Sequence, residues 1–144
     1  MGRWIGIDYG GARTGLAYTD GAAMLAFPYK TLPTAGLMDE LKRLVKESPC
    51  AGFALGIPNA WGVASGRGLT HSSEPILAFR TQLENEFPDL EVVLVDENNT
   101  SEEALQASIK SGMKKSKRAK KGAVDDVAAT LILQRFLDKR SRSF

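Results

Sequence analysis

Cysteine and histidine each occur once in the 144 residues. A lone Cys50 forms no internal disulfide and no cysteine-based zinc site. His71 has no second histidine or cysteine pair with which to share a metal, and nothing near it suggests a catalytic triad. Long apolar runs are missing too: stretches such as Val92-Val93-Leu94-Val95 are far too short to cross a bilayer. Asp8, Arg13 and several glycines interrupt the first 20 residues, so they show no secretion-signal pattern. Neither G-x-x-x-x-G-K-[ST] nor G-x-G-x-x-G occurs, which removes the two commonest nucleotide-binding loops. These absences favour a reducing, cytoplasmic setting with no membrane partner.

What is present is the composition of a folded chain. Apolar residues make up 43% and charged residues 25%, enough to build a core and to exclude disorder as the main state. The length suits one domain over residues 1–144. The formal net charge of +2 hides an uneven distribution. Residues 1–103 carry 8 basic and 14 acidic side chains, whereas residues 104–144 carry 11 basic and 3 acidic. A tail of that sign points to a polyanion as partner.

Apolar patterning predicts the elements. Arg3–Tyr9 and Thr14–Thr19 read as strands joined by Gly10-Gly11-Ala12-Arg13, a connection so short that the pair must be an antiparallel hairpin. Leu25–Thr31 reads as a third strand, at an edge because of Pro28. Leu37, Leu41, Leu44 and Val45 mark a helix that should stop near Ser48-Pro49. Ala51–Ile57 is a strand, residues 59–72 a loop, and Ile76, Phe79, Leu83 and Phe87 mark a second helix. Glu91–Asp96 is a buried strand, and Thr100 with Glu103 would cap a helix reaching about Lys110. Ala123–Leu137 is the last helix. Three strands followed by alternating helices and strands predict an α/β fold. Its mixed five-stranded sheet has the first three strands antiparallel and helices on both faces.

Acidic residues sit where an ordinary core would not place them. Asp8 ends the first strand, Asp96 and Glu97 end the fifth, and Asp125 and Asp126 fall in the first turn of the last helix. The carboxyl ends of parallel strands line the ligand crevice of open α/β sheets. Carboxylates gathered there repel one another unless a cation compensates, and hard oxygen donors suit Mg²⁺ or Mn²⁺. Two such ions can activate water and stabilise the leaving oxygen in phosphodiester hydrolysis. Each acid also has an ordinary alternative: turn residue for Asp8, helix-dipole complement for Asp125 and Asp126, capping group for Asp96 and Glu97.

The same positions carry a family resemblance. Ile5-Gly6-Ile7-Asp8-Tyr9-Gly10 with Arg13 and Gly15 resembles the opening D-[FY]-G-x-x-R-x-G motif of the YqgF (RuvX-like) nucleases. Gly56-Ile57-Pro58, Val95-Asp96-Glu97 with Thr100 and Glu103-Ala104, and Asp125 to Gln134 resemble its later motifs in the same order. The resemblance implies a ribonuclease H-like fold and metal-dependent hydrolysis of nucleic acid. The substrate it implies is the precursor of 16S ribosomal RNA, with Holliday junction DNA as the alternative. Matched position by position, it gives Asp8, Glu97 and Asp125 as catalytic and Mg²⁺- or Mn²⁺-binding residues, with Asp96 in a supporting role. Asn98 stands where the family has arginine, and the loop after Pro58 is one residue shorter than usual.

The stretch from Lys110 to Lys121 holds seven basic residues and no acid. Lys114, Lys115, Lys117 and Arg118 are its candidate phosphate contacts, together with Arg13 in the hairpin turn. Such contacts give affinity without sequence readout. Trp61 could stack on a base or pack on the sheet edge, and Trp4 reads as core. Two rivals come from other classes. Actin-like and sugar kinases share the apolar-Gly-Ile-Asp-x-Gly opening, but they bind nucleotide between two domains that 144 residues cannot supply. A nucleic-acid-binding module with little nuclease activity is the other.

Overall fold

The computed structural model describes residues 2–20, 25–58, 73–96 and 125–142. Strands β1 (Arg3–Asp8), β2 (Arg13–Thr19), β3 (Ala26–Pro33), β4 (Cys50–Ile57) and β5 (Glu91–Asp96) form one sheet in the order β3-β2-β1-β4-β5. The pairs β1–β2 and β2–β3 are antiparallel, and β1–β4 and β4–β5 are parallel. This is the mixed sheet that the sequence predicts, with β1 at its centre. Pro28 lies on the edge strand, where no ladder donor is missed, and the register of β3 against β2 shifts beside it.

The helices are α1 (Leu37–Glu47), α2 (Ser73–Glu86) and α3 (Asp125–Arg142). In α1, Leu37, Leu41 and Leu44 recur on one face and are buried; Asp39 and Glu40 in the first turn and Lys46 in the last complement the dipole. Ser48 leaves in extended conformation ahead of Pro49, which disfavours helix in the residue before it. From α2, Ile76, Phe79 and Leu83 join those leucines over Ile5, Ile7, Leu16, Phe53, Leu55 and Ile57. The opposite face of the sheet carries α3, whose Ala129 and Leu133 pack with Trp4, Ala17 and Ala54. Each strand thus supplies alternate residues to two cores, so β1 reads as a near-continuous apolar run.

Boundaries differ from expectation in small ways. The last helix runs five residues beyond Leu137, to Arg142, because Phe136 and Arg140 still find Trp4 beneath them. β3 continues to Pro33, since pairing with β2 extends to Arg13. A 3-10 turn at Thr34–Gly36 links β3 to α1. The expected helix from Thr100, the 59–72 loop with Trp61 and His71, and the basic stretch lie outside the described residues. No helix among the described residues is long and apolar enough to cross a membrane.

Candidate active site

Alternation along β1 puts Trp4, Gly6 and Asp8 on the face covered by α3, and Ile5 and Ile7 on the other. The course of α3 follows from its contacts. Phe136 meets Trp4 with ring centroids 4.4 Å apart, and the Arg140 guanidinium lies 5.4 Å from the Trp4 ring centre. Two residues further along β1, Gly6 faces Ala129 and Leu133. A Cβ at Gly6 would stand 2.8 Å from the Ala129 carbonyl oxygen and 2.8 Å from the Leu133 Cβ. Advancing along the strand therefore means retreating along the helix, at about 6 Å per four helix residues against about 6.6 Å per two strand residues. One more step reaches Asp8 on the strand and the first turn of the helix, where Asp125 begins α3. The glycine that permits this close approach is what brings the helix start to the strand end.

Register carries the site across the sheet. Ile7 pairs with Leu55, Gly56 with Val95, and Ile57 with Asp96, so the ends of β1, β4 and β5 lie side by side. Asp96 shares its face with Ile57, on the α1–α2 side, and by alternation not with Asp8. Its carbonyl oxygen accepts a hydrogen bond from Arg135 Nη1 at 2.9 Å, which ties the end of β5 to α3. Across β2, Gly15 pairs with Asp8 and Arg13 starts the strand, so the hairpin turn stands directly beside the carboxylate. Asp8 and Arg13 are both partly buried.

Asp8 thus ends β1 on the face that α3 covers, Asp125 begins α3, and Arg13 opens the neighbouring strand β2. Glu97 and the basic residues Lys114, Lys115, Lys117 and Arg118 lie outside the described residues. Among the described residues, no three metal-ligating side chains gather. The donor chemistry at Asp8 and at the acidic start of α3 is hard carboxylate oxygen, which fits Mg²⁺ or Mn²⁺. The N-terminus of an 18-residue helix also carries partial positive charge, which favours anions. Sequence reading missed the contributions of Gly6, Thr14, Thr34 and Arg135. Only Gly6 left a signal, as a glycine inside a strand on the parity of the terminal aspartate.

Arg43, then Lys30, hold the Glu40 carboxyl down at about 2 through direct hydrogen bonds, with Tyr29 donating a further one. Burial raises the Cys50 thiol, so the only cysteine is kept in its neutral form.

The family profile described as "RuvX: Holliday junction resolvase" matches residues 2–139. A protein of Porphyromonas gingivalis named "Putative pre-16S rRNA nuclease" is 37% identical over 142 residues, covering 99% of this chain and all of that one. One of Chlorobium luteolum with the same name is 37% identical over 138 residues, covering 96% and 95%. In fold, the chain is similar to the Fowlpox virus resolvase solved with Holliday junction DNA. The TM-score is 0.57 at 13% identity, covering 96% of this chain and 98% of that chain. At that identity the likeness is one of architecture, the ribonuclease H-like sheet with helices on both faces. With the profile spanning nearly the whole chain and relatives matched end to end, the protein belongs to the RuvX family.

Proposed function

We propose that the protein is a divalent-metal-dependent nuclease that hydrolyses phosphodiester bonds in the precursor of 16S ribosomal RNA. It works as one domain, residues 1–144, in the cytoplasm. The observation that supports this reading is the close contact of α3 with Gly6, two residues before Asp8 on the same face of β1, by a helix that begins with Asp125. The names of the relatives support ribosomal precursor RNA as substrate.

Asp8 and Asp125, with Glu97 joined directly to the end of β5, would hold Mg²⁺ or Mn²⁺. When bound, the ions supply an activated water and charge stabilisation at the leaving oxygen. Asp8 is fixed by the central strand, so its carboxylate needs no reorganisation as charge develops. Arg13 holds a backbone phosphate at the turn, and Lys114, Lys115, Lys117 and Arg118 neutralise further phosphates of the same substrate. None of these contacts reads a base edge, so preference arises from the shape or strand state of the RNA.

Holliday junction DNA is the second reading, favoured by the family description and by the architecture shared with a junction resolvase. Cleavage of a precursor-RNA mimic and of a four-way junction, each with Mg²⁺ or Mn²⁺, separates the two. Faster turnover of the RNA is expected. Cleavage confined to the junction would transfer the assignment to DNA, and metal-independent binding without any cleavage would leave a binding module.

A further inference from the structure

Two residues beyond Asp8 the chain turns, and hydroxyl groups from two distant places close that turn. Thr14 is fully buried in β2, and Thr34 opens the 3-10 turn that leads into α1. The two Oγ1 atoms lie 2.9 Å apart. The Thr34 hydroxyl donates to the Gly10 carbonyl at 2.6 Å, and the Gly10 N–H donates to Thr14 Oγ1 at 3.4 Å. Each hydroxyl has one proton, a carbonyl only accepts and an amide N–H only donates. Thr34 gives its proton to Gly10, so Thr14 must supply the one shared between the hydroxyls. A single directed ring results: Gly10 N–H to Thr14, Thr14 to Thr34, Thr34 to Gly10 C=O.

The rest of the turn is held as firmly. The Thr34 N–H donates to the Ala12 carbonyl at 3.0 Å. On the other side, Tyr9 stacks on Phe79 of α2 with centroids 4.7 Å apart. A Cβ at Gly10 would run into the Arg13 carbonyl, so the turn closes tightly on itself, whereas Gly11 at its tip has open space around it. The turn is thus clamped at its base and clear at its tip, beside the carboxylate of β1.

We infer that Thr14 and Thr34 are positioning residues for a phosphate-binding turn: their hydroxyl ring locks residues 10–13 so that Arg13 meets a backbone phosphate of the nucleic-acid strand held at Asp8. This rests on the nuclease reading and extends it to two residues that touch neither substrate nor metal. Thr→Val keeps the shape but takes one partner from Gly10, that of its N–H at Thr14 or of its carbonyl at Thr34, while Thr→Ser keeps the hydroxyl.

The test measures KM and kcat on the precursor-RNA mimic for Thr14→Val, Thr34→Val and Thr34→Ser, each alone and combined with Arg13→Ala. Exchange of the Gly10 amide is followed in parallel. The valine variants should raise KM about fivefold with kcat unchanged. Thr34→Ser should match the parent, and the valine effect should vanish once Arg13 is gone. Gly10 amide protection should fall in both valine variants and persist in Thr34→Ser. Unchanged KM, an equal rise with and without Arg13, or a rise that serine does not rescue would overturn the role. A parent protein that neither binds nor cleaves the RNA overturns the nuclease reading and this role with it. Whether the hydroxyl ring exists is decided separately by the exchange data.

Discussion

At the scale of single residues, the best-defined electrostatic group is remote from the candidate site. Glu40 accepts from Arg43 Nε at 2.8 Å and from Tyr29 Oη at 3.0 Å, and pairs with Lys30 at 2.7 Å. Its folded pKa of about 2 lies below the ordinary 4.5, so the folded state binds this proton less readily than the unfolded state does. The stabilisation is therefore complete above about pH 4.5 and is lost as the pH falls toward 2. Thermal melts of the parent and of Glu40→Gln should differ most at pH 6 and draw together as the pH falls from 4.5 toward 2. Arg43 is half exposed, so added salt should narrow the gap at pH 6. None of this was legible in the sequence, because Tyr29, Lys30 and Glu40 meet only through the packing of α1 on β3. Asp8 was legible, since a carboxylate closing an apolar strand is visible one residue at a time.

At the scale of elements, the contact of α3 with β1 decides whether a site forms. Gly6→Ala places a methyl group 2.8 Å from the Ala129 carbonyl and the Leu133 Cβ, neither of which is the free end of a flexible side chain. The helix must lift, at a cost of about 1–3 kcal/mol in urea unfolding. Cleavage should fall as well, because the start of α3 moves with it. Gly11→Ala, with no atom within 4 Å of the new Cβ, is the matched control. It should be neutral or stabilising by up to about 1 kcal/mol. Equal losses in both variants would contradict the proposed packing. The elements themselves were readable from periodicity: Leu37, Leu41 and Leu44 for α1, and apolar runs bounded by Gly and Pro for β4. The crossing of α3 over Gly6 was not, because long-range contact leaves only a missing side chain in the sequence. The threonine ring was hidden for the same reason, joining hydroxyls 20 residues apart.

For the molecule as a whole, charge and geometry divide the work. Residues 104–144 hold most of the basic side chains, and the carboxylates stand at the strand ends and the start of α3. If Lys114, Lys115, Lys117 and Arg118 each neutralise one phosphate of single-stranded RNA, log affinity should fall against log salt with a slope of about −3. Replacing all four by alanine should flatten that slope and leave kcat at saturating RNA largely unchanged. The central claim is that Asp8, Glu97 and Asp125 act together on a bound metal. The most direct measurement is single-turnover cleavage of the precursor-RNA mimic in Mn²⁺ by Asp8→Asn, Glu97→Gln and Asp125→Asn, with Asp126→Asn as the neighbouring control and a thermal melt of each. Each of the three should lose about 100-fold or more in rate, the scale of losing one preorganised electrostatic partner, with melting temperature preserved. Asp126→Asn should be milder. Parent-like cleavage by Asp8→Asn or Glu97→Gln would contradict the site.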